Sequence, residues 1–253
     1  MHSTSELRDL VASYLERLEL APELGSLEQP VRYAVGGKLI RPVLCLAAAE
    51  AAGADVEDAL PAAIAVELVH SFSLVHDDLP ALDDDDVRRG KPTVHAEYGE
   101  RTAILVGDAL LAEAFALTTS YRTPQVTREL AQATLRMIGG QQLDFEGGAD
   151  RRSVHGLKTA ALFEAPVACA LWLARIPEAE QRPWRSFARN AGLLFQVVDD
   201  LLDGDGLAAE LGEEGARRLA DDHAARAREA LGEVDADTTI LTEIVDSLAT
   251  RSA

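Results

Sequence analysis

The chain of 253 residues is 47% apolar and 26% charged, a composition that indicates a folded soluble protein and excludes disorder as its main state. Its 24 basic and 43 acidic residues give a net charge of −19, which disfavours binding to nucleic acid and to anionic lipid surfaces. Cys45 and Cys169 lack the spacing of a disulfide framework or a zinc site, which fits a reducing cytoplasm.

The N-terminal residues lack the basic start and apolar core of a signal peptide. We expect no apolar stretch to reach membrane-spanning length, because residues such as Glu67 and His70 interrupt the longest ones. These features predict a cytoplasmic protein without stable membrane insertion.

Apolar residues recur at helical spacing from the first segment onward. Residues 5–20 are predicted to form an amphipathic helix, with Ser3 and Glu6 as a capping box ahead of it. The same period returns, between short breaks, in eight further segments: 43–52, 60–78, 101–119, 126–145, 155–174, 184–203, 207–231 and 236–249. No segment alternates convincingly as a strand. The pattern predicts a single all-α domain over residues 1–253, with about nine or ten helices.

The predicted helix over residues 60–78 leads into a dense group of acids. Six of the ten residues from Asp77 to Asp86 are aspartates, and Leu79-Pro80 ends the helix so that Asp83 can fold back towards Asp77. A solvated acidic loop is the ordinary interpretation of such a run. Here the run follows an apolar helix, so Asp77 and Asp78 emerge from the protein interior. Carboxylates around a shared space suit Mg²⁺, which also takes water and phosphate oxygens.

A second acidic motif ends the predicted helix over residues 184–203. Asp199 and Asp203 are four residues apart and share a helix face, Asp200 lies beside them, and Gln196 lies one turn before Asp200. Alone, this pattern is typical of a helix end that faces water. If the two acidic helices face each other, they form two carboxylate walls that can bind a diphosphate through several Mg²⁺ ions.

Basic residues accompany the acidic motifs, and only three of the 24 are lysines. Arginine binds a phosphate with a two-pronged fork and lysine acts as a compact charge, so the set can bind more than one phosphate group. His70 lies two turns before Asp77 and faces the same way, either as part of the site or as a satisfied core histidine. The segments are GGKLIRP with Lys38 and Arg41, VRRGKPT with Arg88, Arg89 and Lys91, and LKTAAL with Lys158 and Thr159 at the start of a predicted helix.

Six segments stand in an order and spacing typical of one enzyme family: GGKLIRP, ELVHSFSLVHDDLPALDDDDVRRGKPT, GDALLAEAF, GGQQLD, LKTAAL and FQVVDDLLD. On these motifs the chain resembles the trans-prenyl diphosphate synthases of the polyprenyl synthetase family, in the branch similar to bacterial farnesyl diphosphate synthases. The resemblance covers nearly the whole chain from Gly36 onward. It implies a homodimer of the isoprenoid synthase fold, a large helical bundle with a central cavity between the two Asp-rich helices.

The resemblance also implies a role for each candidate residue. Isopentenyl diphosphate would be bound by Lys38, Arg41, His70 and Arg89. The allylic diphosphate would be bound through two or three Mg²⁺ ions on Asp77, Asp83 and Asp199, with help from Arg88, Lys158, Thr159 and Gln196. Asp78, Asp200 and Asp203 match the supporting metal positions of the two motifs.

The implied reaction is a condensation of the two diphosphates. Mg²⁺ and basic side chains neutralise the departing allylic diphosphate, and the isopentenyl double bond attacks the resulting carbocation. Phe72 and Ser73, five and four residues before Asp77, are expected to set the product length. Phe72 as the floor of the cavity favours a C15 product, with C20 or C10 open, and ordinary core packing is the alternative role for Phe72.

Three departures separate this chain from the family pattern. Leu39 replaces a basic residue, Ala160 replaces a glycine, and no lysine follows Lys158, so that the lysine-bearing loop expected after Asp203 is missing. An active short-chain synthase is the leading hypothesis because both Asp motifs and the isopentenyl site are complete. The alternatives are a class I terpene cyclase and a weakly active or inactive accessory subunit of a prenyl diphosphate synthase.

Overall fold

The computed structural model describes residues 1–147 and 150–251 of the chain. Its elements confirm the predicted all-α class. The helices are α1 (Thr4–Arg17), α2 (Glu28–Ala34), α3 (Ile40–Ala51), α4 (Val56–Asp77), α5 (Val94–Tyr98), α6 (Glu100–Thr118), α7 (Pro124–Glu146), α8 (Arg151–Lys158), α9 (Ala161–Leu173), α10 (Arg182–Asp203), α11 (Gly206–Leu211), α12 (Glu213–Gly232) and α13 (Thr239–Ala249). Two 3₁₀ helices at Pro22–Leu27 and Glu178–Glu180 and one short hairpin, β1 (Val87–Arg88) antiparallel to β2 (Lys91–Pro92), complete the described elements.

Each predicted helical segment overlaps at least one helix, although the segment over 5–20 extends beyond the end of α1 and the segment over 236–249 begins before α13. Two of the segments are each divided into two helices. The segment over 155–174 breaks after Lys158. The prediction that Lys158 and Thr159 lie at the start of a helix is therefore wrong, because they lie at the end of α8. At this break the backbone passes very close to α7, where a Cβ on Gly140 would lie 2.5 Å from the Lys158 nitrogen. The segment over 207–231 is divided at Gly212 into α11 and α12.

The helix α4 forms the centre of the bundle and packs against α3, α6 and α9. It begins at the N-cap Asp55, whose side chain accepts a hydrogen bond from the Glu57 N–H. Apolar residues are buried on nearly every side of it, including the fully buried Ile64 and Leu68. Burial of each such side chain contributes about 1.5–3 kcal/mol, so the position of its C-terminal end is firmly fixed.

Two segments are long and apolar enough to span a membrane, contrary to the expectation from the sequence. They are Val56–Asp77 and Arg151–Leu173, which contain 18-residue stretches with mean hydropathies of 1.4 and 1.3. A single polar residue such as Glu67 does not lower the mean hydropathy of a segment below the level typical of membrane-spanning helices. Within the protein, however, 72% and 67% of these apolar stretches are buried, as is typical of helices at the centre of a bundle.

Candidate active site

A cavity of about 750 Å³ lies between the ends of α4, α7, α8 and α10. Of the sixteen candidate residues from the sequence, thirteen line it and three do not. Those on the wall are Lys38, Arg41, His70, Phe72, Ser73, Asp77, Arg88, Arg89, Lys158, Thr159, Gln196, Asp199 and Asp203. Asp78, Asp83 and Asp200 are absent from the wall.

The first acidic motif reaches the cavity through Asp77, the last residue of α4. The chain folds back after Leu79-Pro80 as expected, and the Asp83 N–H donates to the Asp77 carbonyl at 2.8 Å. Burial raises the pKa of Asp77 to about 6, against the attraction of Lys158 and with a further increase from the Asp83 carboxylate. Asp83 itself is exposed, and Asp85 stands on the wall in its place.

Asp78 points away from the cavity, is only 4% exposed, and is paired with an arginine. The Arg88 Nε donates to its carboxylate at 2.6 Å, and the Arg88 Nη2 donates to Asp85 at 3.3 Å. Burial raises the pKa of Asp78, while the bond from Arg88 opposes that rise. Asp78 therefore orients an arginine that lines the cavity.

The second acidic motif contributes Asp199 and Asp203 to the opposite wall, as their four-residue spacing predicts. The Asp199 carboxylate is paired with Arg251 at 3.0 Å. Burial raises the pKa of Asp199 even so, with Arg251 opposing the rise. Asp200, between them, faces the protein interior and is 3% exposed.

Arg251 is a cavity residue that the sequence analysis missed. Its guanidinium lies 5.0 Å from the centre of the Phe195 ring, and its Nε and Nη1 are buried and have no hydrogen-bond partner in the part of the chain that the structure describes. It places a positive charge against Asp199 of the second motif, although it lies far along the chain from the segment after Asp203. A single arginine far along the chain from Asp199 carries no local pattern that would have revealed it.

The basic wall is built by the residues around the Gly36-Gly37 pair. The Arg89 Nη1 donates to the Gly36 carbonyl at 2.6 Å, and a Cβ on Gly37 would overlap the Arg89 guanidinium. Arg41 is buried over the rings of Phe163 and Phe195, and burial lowers its pKa to about 10. Its Nε has no partner within the described residues, which leaves a buried donor at the cavity.

Two titratable residues of α4 face these arginines. Burial, with Arg41 and Arg89 nearby, lowers the pKa of His70 well below its usual value, so its imidazole is neutral at pH 7. Glu67, which the sequence analysis had treated only as an interruption of an apolar run, lies on the cavity wall and is 2% exposed. Burial raises its pKa to about 7, although Arg41 and Arg89 act in the opposite direction.

Polar residues of α8 and α10 close a third side of the cavity. Lys158 is paired with Asp144 of α7 at 3.1 Å. The Thr159 Oγ1 donates to the Gln196 Oε1 at 2.6 Å. The close approach of α7 to this segment at Gly140 places the lysine and the threonine at the cavity.

The remaining wall is apolar and extends below the first acidic motif. Phe72 is 7% exposed and lies edge-on to His76, with ring centres 5.3 Å apart. The His76 Nε2 is 3.1 Å from the Ile104 carbonyl of α6, which fixes the histidine behind Phe72. Other apolar residues of this part are Leu74, Met137, Ile138, Phe145 and Leu162.

The donor set fits magnesium better than a metal held by protein alone. Among the described residues, no group of three His, Cys, Asp or Glu side chains converges on one point. Asp77 and Asp199 instead line the cavity from two different helices, α4 and α10, and several cationic side chains line the same cavity. Mg²⁺ is commonly bound by one or two carboxylates together with waters and substrate phosphates, and both Asp77 and Asp199 line this cavity.

Comparisons with known proteins agree with this arrangement. The Polyprenyl synthetase family profile matches residues 25–231. The chain is 35% identical to the farnesyl diphosphate synthase of Bacillus subtilis, over 97% of this chain and 94% of that protein. It is 45% identical to the geranylgeranyl diphosphate synthase of Cyanophora paradoxa, over 68% of this chain and 64% of that protein.

Solved structures extend the similarity to the fold. The crystal structure of a geranyltransferase from Legionella pneumophila superposes with a TM-score of 0.90 at 31% identity, over 98% of this chain and 96% of that one. The range matched by the family profile, residues 25–231, contains both acidic motifs and all three basic segments. This chain belongs to the polyprenyl synthetase family and has its all-α isoprenoid synthase fold.

Proposed function

We propose that the protein is a short-chain trans-prenyl diphosphate synthase that condenses isopentenyl diphosphate with dimethylallyl or geranyl diphosphate. The main observation is that two carboxylate walls and a separate cluster of cations line one cavity whose remaining wall is apolar. Diphosphates need the charged part and prenyl chains need the apolar part. The relatives named above are prenyl diphosphate synthases, which supports the same reaction class here.

The allylic diphosphate belongs on the acidic side of the cavity. We assign Asp77, Asp199 and Asp203 to two or three Mg²⁺ ions, with Asp83 close behind Asp77. The ions, when bound, neutralise charge on the departing diphosphate and so favour ionisation of the allylic C–O bond. Lys158 adds a positive charge on the same side, and the apolar wall excludes water from the cation.

Isopentenyl diphosphate belongs at the basic cluster. Lys38, Arg41 and Arg89 supply the positive charge, and the buried Nε of Arg41 has no hydrogen-bond partner among the described residues. His70 is neutral and offers a hydrogen bond without adding charge. Holding the two diphosphates at separate fixed positions brings the isopentenyl double bond to the allylic carbon.

The missing lysine loop leaves a specific difference in how the site closes. After α10 the short helix α11 follows directly, with Leu207 buried against the bundle. Arg251 stands beside Asp199 and provides a positive charge on that wall. We propose that Asp199 would hold a metal ion on this wall and that the guanidinium of Arg251, beside it, would supply positive charge to a bound diphosphate.

The product, assembly and location follow as separate proposals. Phe72 at the base of the apolar wall favours a C15 product. The side chains of Ile104 and Leu105 on α6 are 47% and 45% exposed, which supports a homodimer through this face. Two free buried cysteines fit a reducing cytoplasm, and the single-domain organisation expected from the sequence is kept.

The experiment is incubation of the purified protein with Mg²⁺, isopentenyl diphosphate and, separately, dimethylallyl, geranyl and farnesyl diphosphate, with products identified by mass spectrometry. Extension that stops at C15 supports the proposal. No extension with retained diphosphate binding indicates an accessory subunit, and a released hydrocarbon indicates a terpene cyclase.

Two variants test the assignments within that assay. Asp77→Asn should lower kcat by about 100-fold or more because it removes a carboxylate assigned to the Mg²⁺ ions that would neutralise the departing diphosphate. Arg89→Ala should raise KM for isopentenyl diphosphate by roughly tenfold, and not KM for the allylic substrate, because a charged hydrogen bond is lost at one site only. Light scattering measures the molar mass of the wild type and of Ile104→Asp, a variant with a charge on the proposed dimer face, and so tests the proposed homodimer.

A further inference from the structure

The three aspartates of the second acidic motif have different surroundings. Asp199 and Asp203 face the cavity, whereas Asp200 is turned into the protein and makes several polar contacts there. Its Oδ1 accepts a hydrogen bond from the Gln196 Nε2 at 2.8 Å, and its Oδ2 accepts one from the Leu207 N–H at 2.8 Å. The His155 Nε2 lies 3.8 Å from the same Oδ2.

These contacts determine the direction of a hydrogen-bond chain that ends at the cavity. Both oxygens of the Asp200 carboxyl group accept hydrogen bonds, and the side-chain NH₂ of Gln196 points towards Asp200 as one of the two donors. The Gln196 Oε1 then points towards Thr159, whose hydroxyl donates to it at 2.6 Å. With its only proton committed to Gln196, Thr159 presents oxygen lone pairs, and no donor, to the cavity.

The same carboxylate also joins α11 to α10. The Leu207 N–H lies in the first turn of α11, and the backbone N–H groups of Gly204 and Asp205 bond to the Asp200 carbonyl. A Cβ on Gly206 would overlap the Asp200 carboxylate, so only glycine allows this approach. Asp200 thus connects the segment after the second motif to the cavity wall.

We propose that Asp200 is a positioning residue and not a metal ligand: it fixes the direction of the Asp200–Gln196–Thr159 chain and holds α11 in place. The proposal rests on the proposed synthase activity for its catalytic consequence. An acceptor at Thr159 is suited to the positive charge that develops on the allylic carbon, whereas a donor there would oppose it. The second acidic motif then contributes two carboxylates to metal binding, and its middle residue maintains the wall.

The first test compares adjacent aspartates in a binding measurement that requires no turnover. Inorganic diphosphate is titrated into the wild type, Asp200→Asn and Asp199→Asn by calorimetry, with and without Mg²⁺. We expect Asp200→Asn to keep its Mg²⁺-dependent affinity within about threefold of the wild type and Asp199→Asn to lose at least about tenfold. An equal loss in both variants would overturn the proposal, because Asp200 would then behave as a ligand.

The second test is a double-mutant cycle in the synthase assay. An asparagine at position 200 can donate, which lets the Gln196 amide reverse and removes the constraint on Thr159. Asp200→Asn and Thr159→Val are each expected to lower kcat about tenfold with little change in either KM, and the double variant should fall no further, because both break one chain. Independent, multiplicative losses would refute the chain.

Melting temperatures test the proposed role of Asp200 independently of the proposed synthase activity. Asp200→Asn should lower the melting temperature of the ligand-free protein more than Asp199→Asn does, because Asp200 anchors the N–H of Leu207 from a buried position, whereas Asp199 makes a partly exposed ion pair with Arg251. If the wild type makes no product with any primer, the proposed function fails while the calorimetry and melting data still decide the role of Asp200. An unchanged melting temperature in Asp200→Asn would refute the anchoring role.

Discussion

Shortening Phe72 to alanine is expected to move the main product from C15 to C20. The ring stands on the apolar wall of the cavity, five residues before Asp77, and is held from behind by His76. A phenyl ring has roughly the bulk of one five-carbon isoprene unit. Removing it therefore opens room for about one further unit below the growing chain, while the diphosphate sites above it stay unchanged.

The same substitution has a predictable cost in stability. Truncation of a buried phenylalanine to alanine destabilises by about 3–5 kcal/mol, and we expect the lower end, about 3 kcal/mol, because one face of this ring already borders the cavity. For a chain of this size each kcal/mol lowers the melting temperature by about 2–4 °C, which gives a decrease of roughly 6–12 °C. Both the product and the melting temperature are measured on the same preparation.

A buried neighbour on the same helix provides the control. Val75 is buried but does not line the cavity. Val75→Ala should lower the melting temperature without changing the product, because it removes packing and not the floor. If Phe72→Ala also loses stability but still stops at C15, Phe72 is core packing and the floor lies elsewhere.

Two further predictions concern residues whose surroundings differ sharply from their neighbours'. Gly139→Ala should stabilise α7 by about 0.5–1 kcal/mol because nothing lies near its new methyl group. Gly140→Ala should destabilise the protein by about 1–3 kcal/mol and raise KM for the allylic substrate, because the methyl group meets the backbone of Lys158. Thermal melts of both variants should show changes in stability of opposite sign, and changes of the same sign would contradict the prediction. Burial raises the pKa of Glu67 from 4.5 to about 7, so between those values the folded state keeps a proton that the unfolded chain has released and the free energy of unfolding falls with rising pH. Between pH 5 and 8 this loss in the free energy of unfolding amounts to at most about 3 kcal/mol, and Glu67→Gln should remove it. Thermal melts of the ligand-free proteins across this pH range measure the loss, and an equal loss in the wild type and the variant would refute the prediction.

The acidic motifs and most of the cavity were predictable because each rests on a local pattern. Helical periodicity placed Asp77 at the end of an apolar helix and put Asp199 and Asp203 on one face. Helical periodicity does not show that Asp78 and Asp200 are buried away from the cavity while the adjacent Asp77 and Asp199 line it. Successive helical residues point about 100° apart, and what each side chain meets depends on helices distant in the sequence.

Other features depended on contacts between distant parts of the chain. The break after Lys158 follows from the packing of α8 against Gly140 of α7, which an uninterrupted apolar period does not reveal. The helices α2 and α5 span seven and five residues, too short for a helical period to stand out. Arg251 meets Asp199 only after the bundle has folded.

Because the chain has only three lysines, amine-reactive reagents can label the cavity selectively. Of the three lysine amines in the sequence, those of Lys38 and Lys158 line the cavity, while Lys91 donates to the Tyr33 carbonyl at 2.8 Å on the hairpin. An amine-reactive reagent therefore has very few side-chain targets, and two of them stand where the two diphosphates are assigned. The acylation rate of each peptide, followed by mass spectrometry, would report the occupancy of the two halves of the cavity separately and without any reporter group.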